Sequence, residues 1–232
     1  RPTRSERKMY NIAIDGPAGG GKSTVARILA KKLDILYLDT GAMYRACALK
    51  ADMLGIDPSD EAGVSKFIDG VSVTVGYKNG SQITFLDGKD VSHAIRENSM
   101  SEKSSLISKH ACVRRKMVAL QREIAAKSSC ILDGRDICLH VLPGAKYKFF
   151  LFASPEVRAE RRRLELERRG VKIPLSRLLD EIVRRDYEDS HRKNSPLEIA
   201  PDAIRIDTSD ITADEAADKI YAIVKKGESG EV

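Results

Sequence analysis

Two hydrophobic periods alternate along this chain. Compact apolar runs at Tyr10–Ile14, Ile35–Leu38, Cys130–Leu132, Lys148–Phe152 and Ala203–Ile206 have the length and bounding residues of buried strands. Between and after them come stretches with apolar residues at helical spacing: Ser23–Leu33, where Val25, Ile28, Leu29 and Leu33 share a face, then Ala42–Leu54, Pro155–Arg169, Leu175–Glu188 and Thr212–Lys226. The segment Thr212-Ala213-Asp214-Glu215 reads as a capping box that starts the last of these. Strands alternating with helices predict an α/β fold: a three-layer, doubly wound parallel sheet of five strands.

One block departs from that rhythm. Val71–Val75 and Ile83–Leu86 alternate with period two around the turn-like Lys78-Asn79-Gly80-Ser81, which predicts a small antiparallel insertion over residues 64–95. The core then comprises 9–63 and 96–227, and residues 1–8 are expected to be a solvated tail or a remnant of an expression vector. The insertion could move as a flap or be a rigid decoration, and the pattern leaves both open.

The composition, with 42% apolar and 5% aromatic residues in 232, suits one sizeable α/β core. No run approaches the apolar length of a membrane span, and the basic, polar N-terminus lacks the core of a signal peptide, so the expectation is a soluble cytoplasmic protein with no membrane contact. Cys47, Cys112, Cys130 and Cys138 are scattered without metal or disulfide spacing, and the four histidines show no H-x-x-x-H pairing. The net charge of +6 raises the question of nucleic acid, but basic and acidic residues interleave and the excess collects at 158–169 and 184–192. A small, highly charged anion explains such an excess better than a polymer, so no nucleic-acid partner is expected.

The sharpest chemical signal is Gly16-Pro17-Ala18-Gly19-Gly20-Gly21-Lys22-Ser23, which satisfies G-x-x-x-x-G-K-[ST] between a strand and a helix. Glycines let consecutive backbone N–H groups turn inward around a polyphosphate, Lys22 brings a mobile charge, and the Ser23 hydroxyl can ligate Mg²⁺. The bland alternative is a glycine-rich strand-to-helix turn. A second segment, Asp39-Thr40-Gly41-Ala42-Met43-Tyr44-Arg45, follows the second strand, where Thr40 and Gly41 could cap the next helix and direct Arg45 toward a second phosphate. Asp133-Gly134-Arg135-Asp136 closes the third strand, and Arg185, Asp189 and Arg192 recur on one helix face. Arg158, Arg161, Arg162, Arg163, Arg168 and Arg169 interleave with glutamates, which suggests a solvated face with pairs such as Arg161–Glu165 and only one or two functional arginines.

In order, GPAGGGKS, DTGAMYR, LDGRD and RRDYEDSHR followed by Pro196 make the chain similar to the bacterial cytidylate kinase family over residues 9–225. The resemblance implies a monomeric cytoplasmic enzyme that phosphorylates CMP and dCMP with ATP and Mg²⁺. In that family the antiparallel insertion enlarges the monophosphate-binding domain and a short helical lid, here 155–175, closes over ATP. It further implies that Gly16, Pro17, Ala18, Gly19, Gly20, Gly21, Lys22, Ser23 and Thr24 hold the donor phosphates. Arg158 and Arg162 would begin the lid. Arg45, Arg135 and Arg192 would surround the acceptor phosphate with Thr40 nearby, Ser105, Arg114 and Asp136 would read cytosine, and Arg185 and Asp189 would lie against the ribose and phosphate. One departure is Ile137-Cys138-Leu139-His140, where many relatives carry a small, glycine-containing stretch; Cys138 is expected to pack and to take no part in the chemistry.

Two other readings stay open at this level. Another kinase of the same phosphate-loop superfamily would prefer a different acceptor, and a nucleotide-regulated binding module would show salt-sensitive affinity for a polymer.

Overall fold

The computed structural model describes residues 9–229, so the expectation for residues 1–8 lies outside the described residues. Five strands, β1 (Asn11–Asp15), β2 (Leu36–Asp39), β6 (Cys130–Gly134), β7 (Tyr147–Phe152) and β8 (Ile204–Asp207), form a parallel sheet in the order β2-β6-β1-β7-β8. The central β1 pairs with β6 on one side and β7 on the other, with Ile14 opposite Asp133 and Phe149. Its apolar side chains Ile12, Ala13 and Ile14 are fully buried, as are Ile131 and Leu132 of β6, which is why these strands read as continuous apolar runs. The register carries Asp15 and Gly134 to the same level at the carboxyl edge of the sheet.

Three shorter strands, β3 (Val73–Lys78), β4 (Ser81–Leu86) and β5 (Lys89–Asp90), make the antiparallel sheet that the period-two block predicts. Asn79 and Gly80 both take positive φ, 51° and 74°, the signature of a two-residue type I′ turn whose twist matches the flanking strands.

The helices are α1 (Lys22–Leu33), α2 (Thr40–Met53), α3 (Glu61–Ile68), α4 (Asn98–Ile107), α5 (Ala111–Lys127), α6 (Pro155–Arg168), α7 (Leu175–His191) and α8 (Ala213–Ser229). None of the described helices is long and apolar enough to cross a membrane. The chain divides into two compact units, one running to Leu36 and resuming at Ser128, the other Tyr37–Lys127. In the first, α6 and α7 pack through Ala159, Leu166, Leu178 and Ile182. In the second, α2 packs on α4 and α5, and the Lys116 ammonium donates to the carbonyls of Ile68 and Asp69 at the end of α3.

The capping box at α8 forms as expected: Thr212 Oγ1 accepts from the Glu215 N–H at 3.2 Å and the Glu215 carboxylate accepts from the Thr212 N–H at 2.7 Å. Thr212→Ala should therefore lower stability by about 1 kcal/mol, a melting shift of roughly 3 °C, with turnover unchanged. Scanning calorimetry beside a turnover assay checks both halves of that expectation.

Candidate active site

The loop between β1 and α1 is shaped by backbone that only glycine adopts easily. Gly16, Gly19 and Gly21 have φ of 147°, 75° and 81°, and a Cβ on Gly16 would sit 1.9 Å from the Leu151 carbonyl oxygen. Gly21 is the N-cap of α1 and supplies no side-chain acceptor, so the first N–H groups of that helix remain available for an anion. Lys22 lies buried with its ammonium donating to the Pro17 carbonyl at 2.7 Å. Burial, reinforced by the Arg135 charge, pushes its pKa down to about 7 against the opposing pull of Asp133, Asp15 and Asp189. A polyphosphate is the ligand that would favour its charged form.

Contacts from outside the motif brace the loop. Arg158, buried on α6, donates to the Ala18 carbonyl at 3.1 Å and to the Ala153 carbonyl at 2.9 Å, and forks onto both oxygens of Asp186 at 2.9 and 2.6 Å. Thr208, just past β8, donates through Oγ1 toward the carbonyls of Gly20 and Phe152 at 3.3 and 3.1 Å. Arg161 donates to Thr208 Oγ1 and to its carbonyl. The expected Arg161–Glu165 pair is thus replaced: Glu165 pairs with Arg162 and Arg169, because a buried tertiary acceptor outweighs a solvated helix neighbour. Arg163 pairs with Glu160 and Glu167, which leaves most of this cluster the solvated face anticipated from its charges.

Ser23 Oγ donates to Asp133 Oδ2 at 2.8 Å, so a hydroxyl and a buried carboxylate meet beside the phosphate loop. Among the described residues no group of three or more His, Cys, Asp or Glu side chains could encircle a metal ion. One hydroxyl and one carboxylate are a donor set suited to Mg²⁺, which keeps several waters and takes other ligands from nucleotide phosphates.

At the end of β6, Arg135 Nε donates to Asp189 Oδ2 at 2.8 Å, both side chains being largely buried. Burial raises the Asp189 pKa, but the charges of Arg135, Arg185 and Arg192 overcome it and hold the carboxyl below its usual value. Arg192 donates through Nε to the Ser195 carbonyl at 2.7 Å and lies 3.8 Å from Asp136 Oδ1. Arg135, Arg185, Arg192, Asp136 and Asp189 therefore form one charged network in the first unit, and Arg135 and Asp189 act electrostatically on Lys22 as well.

In the second unit the cap of α2 is Asp39, one residue before the expected Thr40: its Oδ1 accepts from the Ala42 N–H at 2.9 Å. The extended backbone at Asp39 suits a cap, whereas Thr40 is already helical and buried. Asp39 Oδ2 also accepts from Arg45 at 2.9 Å, leaving the buried Arg45 Nε without a hydrogen-bond partner among the described residues. Gln82 of β4 clasps the Asp39 backbone, accepting from its N–H at 2.8 Å and donating to its carbonyl at 3.3 Å. The antiparallel sheet thereby fixes the segment that carries Arg45. Arg114 is buried on α5 with its guanidinium 5.8 Å from the centre of the Tyr44 ring. Ser105 lies half-buried on α4, its carbonyl accepting from Ser108 Oγ at 3.0 Å.

Asp39→Ala should cost about 1 kcal/mol of cap energy and also release Arg45, which, on the expectation that Arg45 holds the acceptor phosphate, raises KM for the acceptor on the order of tenfold. Asp39→Asn separates the two effects: asparagine caps as well as aspartate, so thermal stability returns while the acceptor KM stays high. Parallel melting curves and acceptor titrations of both variants check this.

Asp39, Asp133 and Asp186 fall inside the quoted motifs without a role of their own, and Thr208 and Gln82 fall in no motif. Each acts on a neighbour in space. The three aspartates carried a signal in the sequence through their motifs, Asp133 also as the charged end of an apolar strand.

A family model described as Cytidylate kinase matches residues 12–226. Cytidylate kinase from Lactobacillus gasseri is 46% identical over 218 residues, covering 94% of this chain and 95% of that protein. Cytidylate kinase from Caldicellulosiruptor bescii is 43% identical over 225 residues, 97% of this chain and 100% of its own. Cytidylate kinase from Bacillus licheniformis is 46% identical over 221 residues, 94% of this chain and 97% of its own.

Proposed function

The chain belongs to the cytidylate kinase family and phosphorylates CMP and dCMP with ATP, and from that premise we propose how its residues divide the reaction. The donor phosphates lie on Gly16–Thr24, with Lys22 at the β- and γ-phosphates. Arg162 reaches ATP from a lid at 155–175, and Arg158 acts on the donor through its grip on the Ala18 carbonyl. Arg45, Arg135 and Arg192, with Thr40, hold the acceptor phosphate; Arg114, Asp136 and Ser105 read the cytosine; Arg185 and Asp189 hold the ribose and phosphate. Residues 64–95 serve as the monophosphate-binding insertion, and the enzyme works in the cytoplasm as a monomer.

The acceptor's ionised phosphate oxygen is itself the nucleophile, so this chemistry needs no general base. What it needs is the alignment of two anions that repel: two unit charges 4 Å apart cost about 4 kcal/mol at an effective dielectric of 20. Lys22 and the arginines offset that repulsion and fix the in-line approach. Ser23 and Asp133 would hold Mg²⁺ together with phosphate oxygens and water, and the ion when bound would supply further charge neutralisation.

The observation that carries this reading is the network of Arg135, Arg185 and Arg192 around Asp189, electrostatically linked to Lys22 of the phosphate loop. A panel of CMP, dCMP, UMP, AMP and shikimate, each offered with ATP and followed by ADP release, tests it. CMP and dCMP should dominate; strong turnover of another acceptor beside weak CMP turnover would overturn the assignment of the base-reading residues.

A further inference from the structure

Asp15, the last residue of β1, immediately precedes the phosphate loop, yet its carboxylate turns toward another segment. It is 1% exposed. Its Oδ1 accepts from the Ile137 N–H at 2.8 Å and its Oδ2 from the Cys138 N–H at 2.7 Å. Those two amides open a single π-helical turn, Ile137–Val141, in which the Asp136 carbonyl accepts from His140 and Val141. The carboxylate therefore grips the residues immediately after Arg135 and Asp136, and the parallel register sets Asp15 beside Gly134 just before them.

The bulk of Ile137-Cys138 fits this role. Both side chains are buried, and the Cys138 thiol packs against the carbonyls of Ala13 and Phe149. Apolar anchoring on one side and a doubly accepting carboxylate on the other determine the direction in which the preceding arginine and aspartate leave the sheet. Burial raises the pKa of Asp15, and the two backbone N–H groups counter that effect. A carboxylate kept in so unfavourable a place, with both oxygens engaged by one turn, is a fixed geometric constraint.

We propose that Asp15 is a positioning residue that sets the Arg135–Asp136 pair, tying the start of the phosphate loop to the recognition of the acceptor. The inference rests on the reading that Arg135 and Asp136 act on the acceptor nucleotide. An asparagine at position 15 has one oxygen only; its NH₂ group would face a backbone N–H, and the turn must shift to relieve two opposed donors. Displacements of that size cost on the order of 10- to 100-fold when they misplace a reacting group.

The test compares kcat/KM for CMP and UMP in wild type, Asp15→Asn, Asp136→Ala and the double variant. Asp136→Ala alone examines the underlying reading: an unchanged CMP/UMP ratio there removes Asp136 from base recognition, whatever Asp15 does. With that ratio altered, Asp15→Asn is expected to shrink CMP/UMP discrimination about tenfold and to add little in the double variant. A general loss of stability would lower both substrates together and leave the ratio intact, and that result, or full additivity, would overturn the proposal. Amide hydrogen exchange on the wild-type protein supplies a second readout that needs no variant to fold. The Ile137 and Cys138 amides are expected to be strongly protected, and exchange at the rate of an open loop would equally overturn it.

Discussion

Lys22→Met should lower kcat/KM by at least about a thousandfold, a loss of roughly 4 kcal/mol of transition-state stabilisation, while leaving the protein folded. The buried ammonium donates to the Pro17 carbonyl of the phosphate loop, and in the proposed reaction it meets the phosphates between which charge is redistributed. Its effect on stability runs the other way. Burial pushes the Lys22 pKa down to about 7, so in the unliganded fold the charged form is disfavoured relative to the unfolded chain. Between about pH 7 and the ordinary lysine value near 10, the unfolded state binds more protons and wild-type stability rises with pH. Methionine removes that dependence. The variant should melt no lower than wild type near pH 7 while failing in the CMP assay, and calorimetry with initial-rate measurements checks both. A variant that keeps more than a tenth of wild-type turnover would displace Lys22 from the chemistry.

Arg135→Ala has the second largest expected effect, and here activity and stability fall together. Removing one preorganised donor from a developing anion costs about 3 kcal/mol, on the order of a hundredfold in kcat. Asp189 simultaneously loses its hydrogen-bonded partner at 2.8 Å and keeps only the charges of Arg185 and Arg192. Breaking a buried pair of this kind costs up to roughly 3 kcal/mol, and the two remaining arginines reduce that loss. The pH signature follows from the sign of the shift. The Asp189 carboxyl is held below its usual value, so its contribution to stability is present above about pH 4 and is lost as pH falls further. The gap in melting temperature between wild type and Arg135→Ala should therefore be full at neutral pH and narrow in acid. Arg135→Lys keeps the charge but not the planar fork, and should recover stability more than turnover.

The elements carrying the phosphate loop were legible because two independent signals coincided there, a buried strand pattern and glycines whose conformation no other residue adopts easily. The antiparallel hairpin was legible for a similar reason: Asn79-Gly80 supplies the two positive φ values between alternating strands. The helices α4 and α5 were not read, nor was α3, whose end occupies the start of the expected antiparallel insertion. The first is rich in serine, which favours local hydrogen bonds over helix, and its formation depends on packing against α2. The second spends Lys116 on the carbonyls of α3 and buries Arg114 and Gln121, so its inner face does not look apolar in sequence.

The same limit applies within the site. Lys22, Ser23, Arg135, Asp136, Arg185, Asp189 and Arg192 announced themselves by residue type and spacing, and the first unit gathers them. Their supports did not, because a spacing rule sees neighbours on one helix and not competition from elsewhere. Arg161 chooses Thr208 over Glu165, and Asp39 takes the cap that Thr40 could have supplied.

The four free cysteines divide unequally. Cys47 and Cys130 are buried and their pKa values are pushed up to about 12, and Cys138 is pushed up as well, so none offers a thiolate near neutral pH. Cys112 alone is partly exposed, on α5 two residues before Arg114. The chain thus presents one partly exposed thiol to a maleimide dye, and a label can be attached to α5 without engineering a single codon.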